Sequence, residues 1–92
     1  MKNLALALAF LPAAAFAQSA EDQATAIVLP MIQEIQPGQA GVILTGCIIA
    51  AASADEVGAL AAAPGPSAEI GALINGILAR PATMQCLQAA AG

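Results

Sequence analysis

Apolar side chains recur at three- and four-residue spacing through Ala24, Ile27, Val28, Met31 and Ile35, the stripe of an amphipathic helix. Ahead of it, Ser19-Ala20-Glu21-Asp22 reads as an N-cap followed by acids suited to the positive end of a helix. Pro30 falls inside the stripe and is expected to kink the helix or split it, and Pro37-Gly38 ends it. Ser53-Ala54-Asp55-Glu56 has the spacing of a capping box and opens a short helix carrying Val57, Leu60 and Ala61. Pro64-Gly65-Pro66 closes that helix as a turn. A second clean stripe, Ile70, Leu73, Ile74, Ile77 and Leu78, starts at Ser67-Ala68-Glu69. Arg80 falls in its last turn, where a cation suits the negative helix end. Pro81 stops it and begins a final short helix through Met84, Cys86 and Leu87, with a tail from Ala89 to Gly92 expected to fray.

The stretch from Gly41 to Ala54 has no charge and no clear polar face. It is too short to span a bilayer comfortably and reads as a buried central helix. Val42-Ile43-Leu44-Thr45 and Cys47-Ile48-Ile49 are rich in β-branched residues, so a strand stays open as the alternative. The alanines that follow favour helix. Ser53-Ala54-Asp55 with Gly58-Ala59-Leu60 resembles Ser67-Ala68-Glu69 with Gly71-Ala72-Leu73. Alanine-rich composition explains that likeness without a repeat.

The N-terminus carries a different pattern. Met1-Lys2-Asn3 is a short positive region, Leu4 to Leu11 an apolar core, and Ala15-Phe16-Ala17 an A-x-A site. This is the layout of a secretory signal cleaved after Ala17, read at the small residues Ala15 and Ala17. The apolar core is too short for a membrane anchor, and no cysteine follows the cleavage point to carry a lipid. The expected organisation is therefore a signal over 1–17 and one small helical domain over 18–92. The domain is placed in the periplasm or secreted.

Removing the signal changes the composition that matters. Both phenylalanines and the only lysine, Lys2, go with it, so the net charge moves from −4 to −5. Six acids (Glu21, Asp22, Glu34, Asp55, Glu56, Glu69) then face a single cation, Arg80, with no histidine and no aromatic residue. Cys47 and Cys86 are the two cysteines, and in an exported chain they are expected to form one disulfide. Closing a loop of about 40 residues is worth roughly 4 kcal/mol in the chain-entropy account. A domain this small, with only 20 large aliphatic side chains, depends on such a staple. A redox pair is disfavoured because there is no C-x-x-C and no neighbouring Lys or His. The expected fold is all-α, a small bundle of four or five short helices stapled by Cys47–Cys86.

The same inventory excludes function classes. Serines without a His or Lys base make poor nucleophiles. Two thiols without histidine do not complete a zinc site, and the isolated glycines form no phosphate loop. The acidic balance and the missing aromatics argue against nucleic acid. No catalytic, cofactor or metal residues are expected, and the chain is read as a non-enzyme. The expected role is a protein-interaction or holdase-type module with an unidentified protein partner, served by the export and thiol-oxidation machinery. The alternative is a membrane- or interface-active polypeptide, disfavoured because the chain is acidic and lacks Trp and Lys at the interface. In size, export and cysteine count the plan is similar to that of the small periplasmic acid-stress chaperones, from which the low charge departs.

Overall fold

A computed structural model describes the backbone of residues 2–91 and the side chains of residues 19–91. The expected cleavage residues Ala15 and Ala17 lie outside the residues whose side chains are described, as does Gly92. Five helices and no strand are found among the described residues: α1 (Lys2–Ile35), α2 (Gln39–Ala51), α3 (Ala54–Ala62), α4 (Ala68–Leu78) and α5 (Pro81–Ala91). The all-α, disulfide-stapled bundle expected from the pattern is the observed fold. One helix is not short, because α1 runs for 34 residues.

That length corrects two local expectations. Ser19 does not cap a helix start but lies inside α1, whose alanine- and leucine-rich flank carries the helix on. Pro30 falls within the helix rather than splitting it. At Pro30 the reason is exposure. The proline and Ala26, whose carbonyl loses its donor, both face solvent, so water can satisfy the freed oxygen. Ala24, Val28 and Ile32 form the buried stripe on the opposite side.

The link from α1 to α2 is held by its own polar groups. The Gln33 side-chain amide donates to the Gly38 carbonyl at 3.1 Å and accepts from the Gly38 N–H at 2.8 Å. Gly38 sits at φ 77° and ψ −150°, a region essentially closed to residues with a Cβ. Three residues later the chain folds back so tightly that a Cβ on Gly41 would lie 2.0 Å from the Gln36 carbonyl oxygen. Only glycine fits there. The α1–α2 pair is antiparallel, with Ala20 of α1 beside Ile49 and Ala52 at the far end of α2.

The Val42–Ile49 run is helical, which settles the strand alternative. Its burial is one-sided rather than complete. Gly41, Thr45, Cys47 and Ile48 are buried, whereas Val42 (47% exposed), Gly46 and Ala50 face solvent. Ser53 and Ser67 both act as N-caps, accepting from the Glu56 and Ile70 N–H groups at 3.2 Å. At Ser53 the capping box is complete, since its N–H donates to Glu56 at 2.8 Å. The likeness between the two segments reduces to this shared cap. Ile70, Ile74 and Ile77 of α4 join Val57 and Leu60 of α3, Ile48 of α2 and the α1 stripe in one core. α5 stays helical to Ala91 rather than fraying from Ala89.

Candidate functional site

Arg80 and Glu56 form the one charged side-chain pair found among the described residues. α4 ends at Leu78, so Arg80 is not in its last turn as expected but in the tight junction with α5. There its side chain turns to other helices. One guanidinium nitrogen donates to the Ala51 carbonyl at 3.1 Å, at the end of α2, and to Glu56 at 2.6 Å. The second nitrogen bonds the other oxygen of Glu56, so the pair is bidentate. Arg80 thereby ties the end of α2, the start of α3 and the α4–α5 junction.

This network sets the charge state of Glu56. The Arg80 guanidinium, helped by the Ser53 N–H, holds the Glu56 carboxyl down at about 2 from an ordinary 4.5. Donating to the Glu56 carboxylate holds Arg80 above its usual range. A carboxyl with a depressed folded pKa stabilises the fold above its unfolded value, and that contribution is lost as pH falls from about 4.5 towards 2. Unfolding midpoints measured across this window should therefore fall with pH. Glu56→Gln should flatten that fall and lower stability at neutral pH. Both partners are partly exposed, so added salt should weaken the effect.

Cys47 and Cys86 are bonded, with Cα atoms 5.5 Å apart, and pin α5 against α2. Cys47 is buried and Cys86 half-buried. Beside this staple the buried Thr83 hydroxyl donates to the Ile77 carbonyl at 2.6 Å. Each of these groups holds helices together. Among the described residues no three of His, Cys, Asp or Glu converge as a metal site.

Among the described residues several shallow grooves lie between the helices, one of about 600 Å³ around Pro64-Gly65-Pro66, and two others are more apolar. One, of about 340 Å³, lies between α2 and α5 and is lined by Ile43, Leu44, Leu87 and Ala90, with Gln36 and Ala40 at one end. The other, of about 330 Å³, lies between the last turns of α1 and the body of α4. Met31 and Ile35 face Ile74 and Leu78 across it, and Ile35 is 73% exposed. The two cysteines are legible in the sequence, whereas the Glu56–Arg80 pair and both grooves are not. The capping box marked Glu56, yet nothing local marks its partner 24 residues on. No protein family, curated protein or solved structure matches this chain.

Proposed function

We propose that the chain is exported and cleaved after Ala17, and that residues 18–92 work outside the cytoplasm as a non-enzymatic module that holds polypeptide segments. The observation that carries this reading is the pair of open apolar grooves, together with the exposed large apolar side chains Ile35, Val42 and Met84. The two thiols are joined to each other, and Arg80 is taken up by Glu56. Grooves of this size take a few apolar side chains of a partner, the kind of shallow contact a holdase needs.

The test uses the oxidised protein recovered from export, whose intact mass should correspond to a chain starting at Gln18. A client protein is heated to its aggregation point with and without this protein in excess, and light scattering is followed. Scattering should be delayed, and a photo-crosslinking side chain at Ile43 or Ile35 should capture the client. Undelayed scattering with no adduct would overturn the reading. Co-sedimentation with lipid vesicles in place of client capture would favour an interface-active polypeptide.

A further inference from the structure

The groove between α1 and α4 differs from the α2–α5 groove in its electrostatics. Glu34, exposed on the last turn of α1, lines the α1–α4 groove, as does Asn75 of α4. The carboxyl-terminal turns of both helices contribute to the same groove, Ile35 from α1 and Leu78 from α4. Neither last turn carries a basic residue. Two negative helix ends and a carboxylate thus converge on one apolar trough without a cation from the chain itself. Arg80, two residues beyond α4 and the only cation in residues 18–92, points away to Glu56 and Ala51.

Resting on the polypeptide-holding reading above, we propose that this groove receives a cationic amphipathic helix. Its apolar residues would seat against Met31, Ile35, Ile74 and Leu78, and a Lys or Arg on its flank would meet Glu34 and the helix ends. The trough has room for this at Gly71, where a Cβ would meet nothing within 4 Å. Charge decides the occupant. An acidic helix of equal hydrophobicity would meet a carboxylate and two like-signed dipole ends, so the groove should reject it. The α2–α5 groove has no charged lining residue, and the amino-terminal turn of α2 at Ala40 offsets the carboxyl end of α5 at Ala90 and Ala91, so it should not discriminate.

The test titrates the oxidised, exported protein with a short leucine–lysine helical peptide and with its leucine–glutamate counterpart, by NMR. The lysine peptide should shift the methyl signals of Met31, Ile35 and Leu78, and the glutamate peptide should not. Glu34→Lys should weaken binding roughly tenfold or more, the effect of setting like charges face to face. Gly71→Leu should block the trough while raising the melting temperature, because leucine is the better helix former, so lost binding would not reflect unfolding. Equal binding of both peptides, shifts confined to the α2–α5 groove, or indifference to Glu34→Lys and Gly71→Leu would each overturn the proposal. Client capture through Ile43 alone would leave the holding function standing while this site fails. Absence of capture at both grooves would remove both.

Discussion

Reduction of the Cys47–Cys86 disulfide should lower the melting temperature by about 15–30 °C, or abolish the transition. The loop-closure contribution is roughly 4 kcal/mol, and in a domain of this size each kcal/mol moves the midpoint by about 4–8 °C. The structure also indicates where the damage begins. The buried apolar cluster is drawn from α1 to α4, and α5 contributes none of it. α5 is held by the disulfide, the Thr83–Ile77 hydrogen bond and the lining of the α2–α5 groove. Its amides should therefore lose protection from hydrogen exchange before those of α1 and α2. Met84, already 51% exposed, marks the outer face of this loosely held helix. Departure of α5 would uncover Cys47 and extend the bare surface from Val42 to Ile49, a charge-free window prone to β aggregation. Cys47→Ser or Cys86→Ser should reproduce the effect without reductant. Two free thiols in protein recovered from its producing cells would refute the structural role. An unchanged melt would show that α1–α4 stand without the staple.

Ile48→Asp should leave no cooperative transition at all. Ile48 is 0% exposed and belongs to the core shared by α1, α2, α3 and α4. A carboxylate there would be buried without a partner, because Arg80 is already bonded to Glu56. The burial of an unpaired charge costs far more than the few kcal/mol by which small domains are stable. Ile48→Val removes one methyl group and should cost only about 1 kcal/mol, so the pair of variants separates charge from cavity. Circular dichroism of Ile48→Asp should show the helical signal largely lost. Retention of a native melt would mean that Ile48 does not sit in the shared core as described above.

The sequence alone determined the features that arise between near neighbours. The stripes at Ala24–Ile35 and Ile70–Leu78, the Ser53–Glu56 capping box, the Ser67 cap and the Pro64-Gly65-Pro66 turn all depend on groups within four residues of each other. Such interactions are written in spacing and residue type, so the helices could be read directly. The disulfide was legible for a different reason, because two cysteines in a chain read as exported leave one pairing. Tertiary structure decided what local preference left balanced. Val42–Ile49 is helix, as the following alanines favoured, and packing decided that only Thr45, Cys47 and Ile48 of that run are buried. Pro30 passed unbroken because the side of α1 that it weakens is the side facing water. Arg80 found Glu56 across 24 residues, and the two grooves formed where Ile35 and Leu87 met helices distant in the chain. Those outcomes depend on how the faces of five helices meet, and no residue's immediate neighbours carry that information.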